Sequence, residues 1–322
     1  MDACNKVALY ASYQTGEDLP GYVRFALKHL AETDFKVVLL TNRRTLSSDT
    51  YDFLKENHIE LFLTENRGFD FGMWRRYLQL QANRTDAAGN YVPGLITRDV
   101  ERLLLINDSI VYYQNKFKEF FERAENSNAD VVSLTSNDEF APHLQSFFLY
   151  MKPAALGVFF LHIFETPEQT EFYDVTRKLE VGLSEKFTEA EVIMESLYHT
   201  ERPVFFAYDE LIQQGAGFVK RKLLERRFNY EEKKHFVRHH AYDALNKDYT
   251  ALVKSAGLDA DFDESWLPKC NETKAERIKD FIWEKSFQLV GFPAKRLLDK
   301  IKKGDSRLSP SSEDRREDRH RE

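Results

Sequence analysis

The first 135 residues alternate between two hydrophobic periods, and this alternation limits the fold more than any other feature. Lys6–Ser12 (KVALYAS), Phe35–Thr41 (FKVVLLT), Ile59–Thr64 (IELFLT), Arg102–Ile106 (RLLLI) and Asp130–Thr135 (DVVSLT) are apolar runs of strand length. Between them, Leu19–Thr33, Ser47–His58 and Asp70–Gln81 carry apolar residues at helical spacing. Strands alternating with helices predict βαβ units and an α/β fold with a mostly parallel sheet flanked by helices. Such sheets bind ligands at the carboxyl ends of their strands. The segments to inspect therefore follow Ser12, Thr41, Thr64, Ile106 and Thr135.

Further along, Leu144–Met151 (LQSFFLYM) reads as another strand, and Pro153–Phe164, Glu168–Lys186 and Glu189–His199 read as helices. Residues 1–229 are expected to form the main domain and 230–303 a helical C-terminal region. Residues 304–322 lack apolar periodicity and read as a disordered tail. With 42% hydrophobic residues among 322, the chain can bury a sizeable core, which excludes chain-wide disorder. Its 46 Lys and Arg against 53 Asp and Glu leave a net charge of −7, which argues against a general nucleic-acid binder. Cys4 and Cys270 are too far apart in sequence for a metal-ligand pair and too few for a disulfide framework, so a reducing compartment fits. The N-terminus lacks a signal-peptide pattern, and the apolar run Ala154–Phe164 is too short to cross a bilayer. A cytoplasmic location is expected. The segment Ile278–Lys303 carries Phe281, Trp283 and Phe287 among Lys285, Lys295, Arg296 and Lys300. It suits either a peripheral contact with the inner face of the cell membrane or packing on the main domain.

Three strand ends carry chemistry. Asn66-Arg67-Gly68-Phe69-Asp70-Phe71-Gly72 places two glycines four apart at a strand-to-helix turn, where the backbone can approach a ligand closely. Asp70 there would cap the next helix, whose N-terminus favours an anion; a purely structural cap is the competing reading. Asn107-Asp108-Ser109 ends the fourth strand. Its carboxylate between two small polar residues suits a hard divalent ion or a sugar hydroxyl, or else an Asx turn. His143 and Gln145 would share one face of the sixth strand, as hydroxyl ligands or as a structural pair. Glu180 lies in Lys178-Leu179-Glu180-Val181-Gly182, a helical pattern whose glycine suggests close packing on another element.

In order, NRGFDFGMW (66–74), LLLINDS (103–109), HLQSFF (143–148), KLEVGLS (178–184) and AYDELIQQGAGFVKRKLL (207–224) resemble the rhamnan synthesis protein F family of bacterial polysaccharide glycosyltransferases. The resemblance covers roughly residues 6–228 and implies a GT-A-like, Rossmann-type domain. It implies that Asn66, Gly68 and Asp70 line the donor nucleotide pocket, with Arg67 as a phosphate partner. Asp108 would be the metal-binding acid beside Asn107, holding Mg²⁺ or Mn²⁺, although a single aspartate stands where many GT-A enzymes have two. Glu180 would be the general base of an inverting transfer, and His143 and Gln145 would orient sugar hydroxyls. The implied donor is a nucleotide-diphosphate sugar, with dTDP-rhamnose foremost, and the acceptor a growing polysaccharide, lipopolysaccharide or lipid-linked glycan. Another nucleotide sugar, or a non-catalytic partner in polysaccharide assembly, are the alternatives.

Overall fold

The computed structural model describes residues 5–42, 45–82, 100–138, 140–201, 204, 207–225 and 253–266. Residues 1–227 and 243–270 make one compact unit, and 228–242 with 271–322 a second. The second unit, the segment Ile278–Lys303 and the tail 304–322 lie outside the described residues.

The first unit is an α/β fold around a seven-stranded sheet. Its strands are β1 (Lys6–Ser12), β2 (Lys36–Thr41), β3 (Glu60–Leu63), β4 (Arg102–Asn107), β6 (Val131–Ser133), β9 (Phe148–Met151) and β10 (Met194–Ser196). The spatial order is β10-β6-β9-β4-β1-β2-β3. All neighbours are parallel except β9, which runs antiparallel to both β4 and β6. The central strands are apolar on both faces because both faces are covered. On one side, α3 (Phe69–Ala82) and α5 (Pro153–Glu165) close a core containing Leu9, Val38, Leu105, Met151, Trp74 and Phe159. Trp74 is fully buried, and its indole N–H donates to the Leu9 carbonyl at 3.2 Å. Elsewhere α4 (Phe117–Asn126) buries Phe117, Phe120 and Phe121, which meet Tyr112, Phe148 and Tyr150 in a web of ring contacts. Helices α1 (Gly21–Ala31) and α2 (Ser48–Glu56) complete the βαβ units, with Ser47 capping α2 through Thr50 N at 3.2 Å.

Two short antiparallel pairs stand outside the main sheet: β5 (Ile110–Tyr112) with β11 (Phe218–Lys220), and β7 (Ser136–Asn137) with β8 (His143–Leu144). Residues 253–266 also belong to this unit. Lys28 Nζ pairs with Asp261 at 2.9 Å, and the Trp266 ring covers Gly21 so closely that a Cβ there would lie 2.1 Å from it.

Two expectations are corrected. Leu144–Met151 is not one strand, because the backbone leaves the ladder between β8 and β9. There the N–H of Gln145 goes to the Thr135 carbonyl at 3.1 Å and that of Ser146 to the Glu180 carboxylate at 2.6 Å. Glu189–His199 is not a helix. Glu191 takes a left-handed backbone (φ 57°) that stops α7 (Gly182–Glu189), and Met194–Ser196 pairs with the open edge of β6. Its apolar residues fit either period locally, so the vacant sheet edge decides.

Candidate active site

Strand order reverses between β1 and β4: β2 and β3 lie on one side of β1, β4 and the rest on the other. A crevice is expected outside the carboxyl ends at that reversal. There Ser12 Oγ donates to Asp108 Oδ2 at 2.8 Å, and Gln14 Nε2 donates to Ser12 Oγ. Asn42 clamps the loops after β1 and β2 by accepting from Gln14 N at 2.7 Å and donating to Gln14 O at 3.1 Å. Beside them opens a groove of about 640 Å³ lined by Tyr13, Asn42, Leu63, Thr64, Glu65 and Asn66. Tyr13 and Leu63 are exposed there among otherwise polar lining residues.

The turn into α3 is held from several directions. Gly68 (φ 75°) and Phe69 (φ 55°) both have left-handed backbones. Gly72 is obligatory, since a Cβ there would stand 1.9 Å from the Arg67 carbonyl oxygen. Arg76, one turn further on, donates to Thr64 Oγ1 at 2.7 Å, to the Arg67 carbonyl at 2.7 Å and to Glu168. The turn delivers Asp70 to Asn107: Asn107 Nδ2 donates to Asp70 Oδ2, Phe71 N to Asp70 Oδ1 at 3.2 Å, and Ser109 N to Asn107 Oδ1 at 3.0 Å. Burial first, and then the nearby charge of Glu180, push the Asp70 carboxyl up to about 6, against the pull of its hydrogen bonds.

Glu180 sits on a π-helical segment, Val175–Val181, between α6 (Phe172–Asp174) and α7. The Leu179 carbonyl accepts from His162 Nε2 of α5 at 3.1 Å, and Gly182 lies against the same imidazole. Burial lowers the His162 pKa, which suits a neutral ring donating to a carbonyl. The expected close packing at Gly182 is thus real, and π-segments of this kind often mark functional sites. Glu180 itself is fixed by the Ser146 N–H at 2.6 Å.

Two cations complete the cluster. β5 follows directly from Asp108-Ser109, and its pairing with β11 sets Lys220 opposite Ile110. Arg221, which opens α8 (Arg221–Glu225), donates its backbone N–H to the Ser109 carbonyl at 2.9 Å. Its Nη1 lies 3.0 Å from Asp108 Oδ2 and 3.1 Å from the Tyr22 hydroxyl. Lys220 Nζ lies 3.9 Å from the centroid of the Phe147 ring. Burial lowers its pKa to about 8, partly offset by the charges of Glu180 and Asp70.

Of the residues singled out in the sequence, Asp70, Asn107 and Glu180 thus come together, Asp108 turns instead to Ser12 and Arg221, and Asn66 lines the groove. Arg67 is 64% exposed and lies 3.3 Å from Glu168 Oε2, a surface ion pair. His143 Nδ1 contacts its own loop's Ala141 carbonyl at 2.8 Å, and Gln145 accepts from Thr135 Oγ1 at 2.7 Å. These last two do not share a strand face, because β8 ends at Leu144. Protein side chains alone do not make a divalent-cation site among the described residues. Among the described residues no three Asp, Glu, His or Cys side chains converge on one point. Asp108, the expected metal acid, already faces a guanidinium. Ser12, Gln14, Arg76, Lys220 and Arg221 were not anticipated. The run Lys220-Arg221-Lys222 after the apolar pair Phe218-Val219 was the available signal for the last two.

Fold and site together define an α/β protein with charged side chains gathered at the carboxyl edge of its sheet. No protein-family model matches the chain, and no curated protein matches its sequence. Among solved structures it is similar to a cytidylyltransferase from Leptospira borgpetersenii, at 14% identity and TM-score 0.36 over 61% of this chain and 77% of that one. It is also similar to the glycosyltransferase GlyE of Streptococcus pneumoniae, at 12% identity and TM-score 0.36 over 80% and 66%. A third is CTP:phosphocholine cytidylyltransferase from Streptococcus pneumoniae, at 11% identity and TM-score 0.37 over 60% and 90%. At these scores the likeness assigns no chemistry to this chain. Among the described residues no helix is long and apolar enough to cross a membrane.

Proposed function

We propose that the chain is a glycosyltransferase that uses a nucleotide-diphosphate sugar. The observation that carries this reading is the charged surround of the β4 terminus at the strand-order reversal, Asp70 and Glu180 with Lys220 and then Asp108 with Arg221, beside a groove that exposes Tyr13 and Leu63. The groove suits a base and ribose lying on Tyr13 and Leu63, and the cations suit a diphosphate. Glu180 suits the proton acceptor, being a carboxylate held by a backbone N–H near Asp70. In the transfer, the acceptor hydroxyl oxygen bonds to the anomeric carbon and the bond from that carbon to the β-phosphate oxygen breaks. The electron pair leaves with the nucleoside diphosphate, and Glu180 takes the hydroxyl proton. Attack opposite the leaving group inverts the anomeric centre.

The resemblance of residues 66–74, 103–109, 143–148, 178–184 and 207–224 to the rhamnan synthesis protein F family supports the finer reading. In it, rhamnose moves from dTDP-rhamnose to a polysaccharide or lipid-linked glycan. The test is a panel of nucleotide-diphosphate sugars assayed for nucleoside diphosphate release with and without oligosaccharide acceptors. Selective turnover of dTDP-rhamnose with inverted product is expected. Turnover of a different sugar overturns the finer reading, and turnover of none overturns the glycosyltransferase.

A further inference from the structure

The end of β4 is surrounded by carboxylates, Asp70 with Glu180 and then Asp108, and their field would repel a diphosphate unless cations intervene. As charge develops on the leaving phosphate it needs a fixed positive partner. The expected source was a divalent ion on Asp108, yet that carboxylate is committed to Ser12 at 2.8 Å and Arg221 at 3.0 Å. What the fold brings instead is the pair Lys220-Arg221, pinned by β5–β11 pairing and by the Arg221 N–H to Ser109 carbonyl bond.

We propose that Lys220 and Arg221 form a cationic clamp for the donor's diphosphate and take the place of a resident metal, with Asp108 positioning the guanidinium. This rests on the nucleotide-sugar reading above and extends it to how the leaving group is held. The two cations divide the work. Arg221 is fixed through Nη1 by Asp108 and the Tyr22 hydroxyl. A guanidinium is a rigid planar fork, so its partners on Nη1 restrict the orientations it can present to a phosphate. Lys220 is a half-buried ammonium against the Phe147 ring, with no hydrogen bond or ion pair among the described residues. Asp70 and Glu180 act on it electrostatically. A phosphate oxygen would supply the acceptor it lacks.

The experiment titrates the full chain, in excess chelator, with inorganic pyrophosphate and with dTDP, and follows heat of binding. Wild-type protein is expected to bind both. Lys220→Met is expected to weaken both about ten- to a hundred-fold, the scale of one charge-assisted hydrogen bond. Lys186→Met, which alters an exposed lysine paired with Glu189 on α7, is the charge control and is expected to change nothing. Lys220→Met leaves the Asp108 pair intact, so loss of folding does not confound it; Arg221→Lys serves as a second variant and should lose the planar fork while keeping the charge. Binding that requires added Mg²⁺, wild-type affinity in Lys220→Met, or no binding of either probe overturns the clamp. If pyrophosphate binds through Lys220 while no nucleotide sugar is turned over, the glycosyltransferase fails and the clamp stands. If donors are turned over equally well by Lys220→Met, the reverse holds.

Discussion

The Asp108 carboxylate and the Arg221 guanidinium lie 3.0 Å apart, joining the end of β4 to the end of β11. Their side chains are 11% and 24% exposed, so solvent screens the pair only in part. Removing one partner leaves an under-compensated charge. Asp108→Asn is therefore expected to cost on the order of 2 kcal/mol in urea denaturation. The double variant with Arg221→Gln should recover a measurable part of that loss. Strict additivity of the two single changes would show that the pair contributes nothing.

Two glycines should respond in opposite directions to alanine. At Gly72 a Cβ meets the Arg67 carbonyl oxygen at 1.9 Å, a clash with backbone that cannot rotate away. Gly72→Ala should cost about 3 kcal/mol or more and dislodge the turn that carries Asp70. At Gly157, inside α5, nothing lies within 4 Å of an added Cβ. Gly157→Ala should stabilise by roughly 0.5–1 kcal/mol through helix propensity. Equal effects on the denaturation midpoint would contradict this placement.

Glu180→Gln preserves an acceptor for the Ser146 N–H but cannot take a proton. Turnover should fall roughly 10²–10⁴-fold while dTDP still binds. Because the Glu180 charge helps raise the Asp70 carboxyl, the same variant should lower the Asp70 pKa from about 6, readable by carboxyl NMR. Unchanged turnover with a shifted Asp70 would make Glu180 an electrostatic neighbour only.

Asp70 also makes stability depend on pH. Its folded pKa, about 6, lies above the ordinary 3.8 of an unfolded aspartate. The native state therefore binds the proton more tightly. The stability contribution is full below the unfolded value and is lost as pH rises through about 6. The wild-type advantage over Asp70→Asn should accordingly be larger near pH 4.5 than near pH 7.5 (round values about either side of the two pKa values). A difference independent of pH in paired denaturation curves would refute it.

Lys220, with its pKa lowered to about 8, should make anion binding fall as pH rises from about 7 to 9, because only the ammonium attracts phosphate. Glu180 and Asp70 hold the proton on, whereas burial and Lys222 help remove it. Pyrophosphate affinity measured across that window should decline more steeply in wild type than in Lys220→Met, which shares the probe's own titration but lacks the ammonium.

Local pattern was enough for the skeleton. Strand β1 lies where its apolar run predicted, β2 to β4 and the first three helices within a few residues, because burial on two faces or along one stripe imposes a period that any window reveals. The glycine turn at 66–72 and the carboxylate at the end of β4 were legible for the same reason: turn chemistry and strand termini are short-range. Where the period was ambiguous, sequence misled. Met194–Ser196 became a strand only because β6 offered an open edge, and Leu144–Met151 broke because Thr135 and Glu180 claimed its amide groups. The partners of the charged residues were beyond local reach altogether. Arg221 meets Asp108, Lys220 comes under the influence of Asp70 and Glu180, and Arg76 ties Thr64 and Arg67 to Glu168. A side chain's period states which face is buried, whereas its partner is set by which distant loops the closed sheet brings to one edge.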